Sequence, residues 1–491
     1  MSSNFVIKGN ICDSASPDEL RLRENSYLVC ENGLCTGVFS VLPEVYRALP
    51  LLDMGDKLIL PGLVDLHAHA PQFSFRGLGM DMELLDWLNT YTFPEESKYA
   101  DLTYADRAYS QFVVHLRRSA TTRACLFASL HVPATTLLME KLEASGLVSY
   151  VGKVNMDRNS PDYLREPSVE QALADTEAWV CATRERFANT RPILTPRFIP
   201  SCTDELLRGL RGLVEKYNLP VQSHLSENFG EIAWVRELCP DSRFYGDAYD
   251  RFGLFGGDHP CIMAHCVHST QEELELMRKN GVFIAHSPLS NSNLASGVAP
   301  IGRYLDEGMH VALASDLAGG ETENLFASIA AAIRASKLRW RLLDETVKPL
   351  SVDRAFWLAT AGGGRDDGVA GLQTDRREDV AELAVFVLDE SDERAAVRVV
   401  LDALDGSRHI ELVTAEVDDA VLALVAAAAM TDGDAAVAVA AGVLLDSLKK
   451  AALGLCLFIY AVKRRNSHVS SRRGVGLKRF DRHCALHSFK N

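Results

Sequence analysis

The chain has 491 residues, a formal net charge of −15, and 47% hydrophobic against 24% charged residues. That length can bury a large core, enough for two to four domains or one barrel with additions, and the composition is that of an ordinary globular protein. The acidic balance argues against nucleic acid or an anionic membrane surface as a partner.

The eleven cysteines are odd in number and scattered, with no Cys-x-x-Cys pair. That pattern fits a reducing compartment, with the cysteines mostly buried or free thiols. The N-terminus lacks a basic stretch followed by a long apolar one, so no signal peptide is expected. The apolar stretches 435–445 and 451–462 are too short to span a bilayer. A soluble, cytoplasmic protein is expected.

Residues 4–60 read as short strands at 5–7, 26–30, 35–39 and 57–60, punctuated by Asn, Asp, Gly and Pro. From 58 to about 365 the rhythm changes to short β-rich runs alternating with helical segments, as in repeated βα units. The runs are 58–66, 120–128, 148–156, 193–199, 220–226, 261–267, 282–287 and 310–315, with helices such as 167–188, 203–217, 270–279 and 322–338 between them. Eight such runs predict an α/β fold of the (β/α)8 barrel type, with catalytic groups at the C-terminal ends of the strands. The insertion 76–110 carries Trp87, Tyr91 and Phe93, and reads equally as a pocket wall or as a surface helix.

Beyond 366 the chain turns acidic, with one strand candidate at Leu383–Leu388. The expected division is 1–57 and 366–420 as two parts of a small β-sandwich-like domain, 58–365 as the barrel, and 421–462 as an Ala/Val-rich helical segment. Residues 463–491, with nine Lys/Arg against one Asp, read as a disordered basic tail.

Several apolar runs end in residues of metal-ligand type. The first closes with His67 and His69, whose i, i+2 spacing on a strand puts both imidazoles on one face. The fifth ends with His224 and Glu227, the sixth with His265 and His268, and the eighth with Asp316. Burying such groups is costly without partners, and in a barrel these ends converge on one mouth. His67, His69, His224 and Asp316 would make a nitrogen/oxygen site for Zn2+ that leaves room for water, lowering that water's pKa toward neutrality. Glu227 is placed to take and redeliver protons, and Asp316 to bind metal and accept the water's proton. His265 is either a fifth ligand or a hydrogen-bonding group for the water or the intermediate; the second role is favoured.

The stretches Pro-Gly-Leu-Val-Asp-Leu-His-Ala-His, Ser-His-Leu-Ser-Glu, Met-Ala-His-Cys and Ala-Ser-Asp, in this order, resemble the metal-dependent amidohydrolase superfamily. Narrower motifs resemble its guanine deaminase family: His-Ala-Pro-Gln-Phe-Ser-Phe (69–75), Leu-Leu-Asp-Trp-Leu-Asn-Thr-Tyr-Thr-Phe-Pro (84–94), Gly-Lys-Val-Asn-Met-Asp (152–157), Pro-Arg-Phe-Ile-Pro-Ser-Cys (196–202), Ala-His-Ser-Pro-Leu-Ser-Asn (285–291) and Ser-Asp-Leu-Ala-Gly-Gly (315–320).

The resemblance covers roughly residues 5–365. It implies one Zn2+ per subunit on His67, His69, His224 and Asp316, and a homodimer deaminating guanine. It places His69, Ala70, Pro71, Gln72, Arg197, Phe198, His224, Glu227 and Asp316 around the substrate, with catalysis by Glu227, Asp316 and His265. Leu289 and Ser287 depart mildly from the family pattern, and 391–491 do not resemble its closing strands. Two alternatives stay open: deamination or dechlorination of another heterocycle (a triazine, cytosine or an adenosine derivative), and a catalytically inactive binding protein of the same fold. The Pro-Cys-x-x-Cys motif of the unrelated zinc nucleobase deaminases is absent, as are a Walker loop and a nucleophile elbow.

Overall fold

Pro61 and Gly62 divide the run 58–66, which was expected to be one strand, between two different sheets. The computed structural model of the protein describes residues 4–363, 383–388, 396–400 and 411–415. At the N-terminus β1 (Phe5–Ser16) and β2 (Glu19–Glu31) pair antiparallel, and β3 (Leu34–Phe39) returns along β2. These strands are longer than their Asn- and Gly-rich sequence suggests. Register shifts between Gly9 and Ile11 and between Val29 and Cys30 let the ladders continue past the interruptions as bulges. β4 (Leu51–Pro61) lies parallel to β1.

The parallel part begins with β5 (Leu63–His69), buried at every position. β6 (Thr121–Phe127) and β7 (Val148–Gly152) follow it, then the two-residue β8 (Val154–Asn155), β9 (Thr190–Pro192) and the two-residue β10 (Thr195–Pro196). One parallel sheet has the order β5-β6-β7-β9, and β8 pairs with β10. The expected strand 193–199 is therefore displaced and broken. Pro192 and Pro196 donate no N–H, which interrupts its ladder. A second parallel sheet has β11 (Val221–Leu225), β12 (Cys261–His265), β13 (Phe283–His286) and β14 (His310–Leu313) in sequence order. Nearly continuous burial is what strands covered on both faces require.

The fold is thus α/β with mostly parallel sheets, but the strand pairing leaves two four-stranded sheets and the β8–β10 pair where one closed barrel was expected. At one edge Leu194 bridges to Val221, its N–H donating to Pro220 O at 3.0 Å. At the other, Asp316 N–H donates to His67 O at 2.9 Å and His69 N–H to Leu317 O at 3.0 Å. Leu66, Cys125, Tyr150, Ile262, Phe283 and Ala312, drawn from both sheets, share one buried cluster.

The helices between strands carry ordinary start signals. Thr203 caps Asp204–Tyr217 by accepting from Leu206 N–H, and that helix buries Leu206, Leu207, Leu210, Leu213 and Val214 along one stripe. The insertion is a broken helix, Leu84–Trp87, a π-helical Leu88–Thr92 and Phe93–Ser97, before the long helix Leu102–Arg118. Trp87 is buried and donates from Nε1 to Leu78 O at 3.0 Å, so this segment is packed into the protein and is not a surface helix.

Further along, β15 (Leu383–Leu388) pairs antiparallel with β4, and β16 (Ala396–Val400) and β17 (Glu411–Ala415) extend the N-terminal sheet in the order β17-β16-β15-β4-β1-β2-β3. The last two strands were missed in the sequence. The expected helical segment 421–462 and basic tail 463–491 lie outside the described residues. Of the nine described cysteines seven are buried, Cys181 is exposed, and none forms a disulfide. No helix among the described residues is long and apolar enough to cross a membrane.

Candidate active site

The candidate residues gather where buried strands run out. His67 and His69 end β5, His224 lies in β11 with Glu227 just beyond, His265 ends β12, and Asp316 follows β14. At these ends the backbone turns into the left-handed region without glycine: φ is +47° at Ser226, +73° at His265, +51° at Cys266 and +45° at Asp316. Such conformations cost energy and persist where neighbours hold them. Cys266 N–H donates to Leu225 O at 2.9 Å and His268 N–H to Ser226 O at 2.9 Å.

Polar atoms converge inside. His69 Nε2 lies 3.1 Å from His224 Nε2, and Asp316 Oδ1 lies 3.1 Å from His67 Nε2 and 3.5 Å from His69 Nε2. His224 Nδ1 donates to Arg197 O at 2.6 Å, which leaves the Nε2 lone pair directed inward. His69 Nδ1 is buried with no hydrogen-bond partner, and His67 Nε2 faces only the Asp316 carboxylate. The nitrogens of His67, His69 and His224 lie within 4.8 Å of one another, as do the ligand atoms of His67, His265 and Asp316. Facing lone pairs beside a buried carboxylate are unfavourable by themselves and fit a shared divalent cation.

Burial, reinforced by the charge of His67, holds His69 and His224 well below the usual imidazole range, so both are neutral as ligation requires. For Asp316 burial works upward, but the imidazoles of His67, His265 and His69 outweigh it and keep the carboxyl well below the usual range. Glu227 behaves oppositely: burial first, then the Asp316 charge, push it up to about 8, against a single side-chain hydrogen bond from Ser296 Oγ at 3.1 Å. His265 Nδ1 meets Asn291 Oδ1 at 2.9 Å, while its Nε2 faces Glu227 Oε2 at 3.4 Å and Asp316 Oδ2 at 3.7 Å.

Most of these groups line one pocket. His69, Gln72, Arg197, Phe198, His224, Glu227, His265 and Asp316 are in its wall, with Leu84, Trp87, Leu88 and Leu294 as apolar lining. Ala70 and Pro71 are buried but do not line it. His268 is turned away, stacked on Phe229 and bonded to Ser296 O at 2.6 Å.

Glu231 also lines the cavity and was missed in the sequence. Burial and the Glu227 charge push it up to about 7, and it accepts from Tyr245 Oη at 2.5 Å. Its sequence signal is the capping box Asn228-x-x-Glu231.

Residues 58–365 match the amidohydrolase family. The chain belongs to the amidohydrolase family. Among its relatives, a guanine deaminase from Dictyostelium discoideum is 40% identical over 316 residues, 64% of this chain and 69% of its own length. One from Escherichia coli K12 is 36% identical over 335 residues, 67% of this chain and 72% of its own. The structure is similar to a C. acetobutylicum guanine deaminase crystallised with guanine bound in the active site, with a TM-score of 0.74 and 42% identity, covering 81% of this chain and 90% of that one. Within this family of metal-dependent hydrolases, the buried His/Asp cluster is the place where this member could hold its metal.

Proposed function

We infer that the protein hydrolyses guanine to xanthine and ammonia, a step of purine catabolism. The observation that carries this reading is the 42% identity, at a TM-score of 0.74, to a guanine deaminase that holds guanine in its active site. His67, His69, His224 and Asp316 would hold one Zn2+ per subunit. Once bound, that ion supplies a Lewis acid that brings the pKa of a water molecule toward neutrality.

Glu227 moves the protons. Buried beside Asp316 and facing His265 Nε2 at 3.4 Å, it gives a proton to the ring nitrogen beside C2. A new C2–O bond forms with oxygen from water, and Glu227 regains a proton from that water. The second water proton passes to the amine, the C2–N bond breaks, and ammonia leaves with the 2-oxopurine behind. Asp316, kept ionised, takes that second water proton and hands it on to the amine. His265, its Nδ1 taken up by Asn291, hydrogen-bonds the water or the oxygen at C2.

Arg197 and Gln72 bind polar edges of the purine and Phe198 lies against it. Guanine O6 and N7 are acceptors that match a guanidinium. The two four-stranded parallel sheets, from β5 to β14, form a (β/α)8 barrel, a reading supported by the hydrogen bonds at both sheet edges and the shared buried cluster. β1 to β4 and β15 to β17 form a small β domain beside it. The enzyme works in the cytoplasm as a homodimer, without nucleic acid or membrane partners.

The test is ammonia release from guanine by purified protein, with bound zinc quantified in the same sample. Turnover that is lost in Glu227→Gln while zinc stays bound is expected. Zinc without turnover would overturn guanine as substrate and point to another heterocycle.

A further inference from the structure

The proposed reaction leaves two buried carboxylates at the substrate wall without a role, Glu231 and Glu96. Glu96, on the short helix Phe93–Ser97, is 1% exposed. Its Oε2 accepts from Arg197 Nη1 at 2.6 Å, and its Oε1 accepts from both Arg197 Nη2 at 3.1 Å and Gln72 Nε2 at 2.9 Å. One carboxylate thus clamps the two polar residues that come to the cavity from different parts of the chain, the turn after β5 and the segment after β10.

An ionised carboxylate only accepts hydrogen bonds, so the Gln72 amide must turn its NH2 toward Glu96. Its Oε1 is then left to accept from Ala318 N–H at 3.3 Å, which locks the amide in one of its two orientations. Arg197 is held as firmly, by a two-toothed pair with Glu96 and by the Phe93 ring 5.3 Å from its guanidinium carbon. Its remaining N–H groups are donors with no freedom to swing aside.

We propose that Glu96 is a positioning residue that fixes the donor pattern Gln72 and Arg197 present to the substrate, and thereby selects 6-oxopurines over 6-aminopurines; this rests on the guanine reading above. A wall of fixed donors matches the O6 and N7 acceptors of a 6-oxopurine and opposes the 6-amino donor of adenine. Without Glu96 the Gln72 amide is free to flip and Arg197 to move, and the discrimination is lost.

The experiment measures guanine KM and kcat, and the inhibition constants of hypoxanthine and adenine, in metal-loaded wild type, Glu96→Gln and Glu96→Asp. Glu96→Asp keeps the buried charge beside Arg197 while drawing the carboxylate back, so it carries the test if Glu96→Gln does not fold. Expected is a rise in guanine KM of about 30-fold, the size of losing one partner of a buried charged pair. kcat should change far less, and the preference for hypoxanthine over adenine should shrink about tenfold. A purely structural role would lower the active fraction and leave KM and that preference unmoved, and such a result in a folded variant overturns the proposal. Wild type silent on guanine would instead overturn the reading of the whole site, and this inference with it.

Discussion

Arg197 depends on a buried ion pair distant from the reacting atoms, and removing that pair gives a quantitative forecast. Arg197 N–H donates to Asn155 O at 3.1 Å. Asn155 is held in turn by Nδ2 bonds to Glu166 Oε1 at 3.2 Å and Thr176 Oγ1 at 2.8 Å. Glu166 accepts from Met156 N–H at 2.9 Å and is paired with the Lys153 ammonium, both side chains being almost fully buried. Burial raises the Glu166 carboxyl, and Lys153 is the largest influence holding it down.

In Lys153→Met that influence is gone, and Glu166 folds as the neutral acid. Protonating a carboxyl of unfolded pKa about 4.3 costs roughly 4 kcal/mol at pH 7.5 and about 1 kcal/mol at pH 5, in line with the ~3–5 kcal/mol of a broken buried pair. The sign follows from linkage. The variant's folded pKa lies above the unfolded one, so the penalty is absent below the unfolded value and grows as pH rises through the interval. Urea unfolding of wild type and Lys153→Met at pH 5 and pH 7.5 measures the difference, and because burial already raises Glu166 in wild type the two figures are its upper bounds. A difference below about 1 kcal/mol at pH 7.5, or one that does not shrink at pH 5, would refute the reasoning.

Three further outcomes are expected. Chelation should abolish ammonia release and lower the thermal midpoint, and Zn2+ should restore both, with about 2.7 kcal/mol regained at a hundred times the dissociation constant; an unmoved midpoint would contradict a metal on His67, His69, His224 and Asp316. Gly152→Ala should destabilise by about 1–3 kcal/mol or more, because its Cβ would sit 1.7 Å from Thr195 Oγ1 and 2.8 Å from Gln222 Nε2; a neutral urea midpoint would show that the strand ends give way. Asn291→Ala should lower kcat about tenfold with KM little changed, by freeing the His265 ring; Asn291→Asp, which keeps an acceptor, should recover most of it.

The fold was legible where periodicity and burial agree. The helices at 204–217 and 271–280 fall within a residue of their expected bounds, because a capping threonine and an apolar stripe mark them locally. Strand ends were less legible. The break between β4 and β5 falls at Pro61-Gly62, a break signal present in the sequence, but which sheet each half joins is set only by the assembled fold. The displacement of 193–199 was signalled by Pro192 and Pro196, whose missing donors forbid a continuous ladder. In β16 and β17 the strand signal was obscured by an acidic, irregular neighbourhood.

The site divides along a similar line. His67, His69, His224, His265 and Asp316 stood out because each interrupts an apolar strand end, where burial without a partner is costly. Glu231 and Glu96 lacked that contrast. Glu231 sits three residues beyond Asn228, where a glutamate reads as an ordinary capping residue. Glu96 follows Glu95 in a broken helix, and nothing local separates the two. Glu95 reaches the partly exposed ammonium of Lys98 at 2.6 Å, whereas Glu96 turns inward to Arg197, which is 101 residues away in sequence. Both are buried, so exposure alone would not have picked out the one that matters. What separates them is the partner each finds across the fold, and a partner that distant is set where Arg197, just after β10, meets Phe93 and Glu96 of the insertion. A carboxylate's role here is a property of the assembled cavity wall, which is why Glu96→Asp tests it better than any feature of residues 93–97 taken alone.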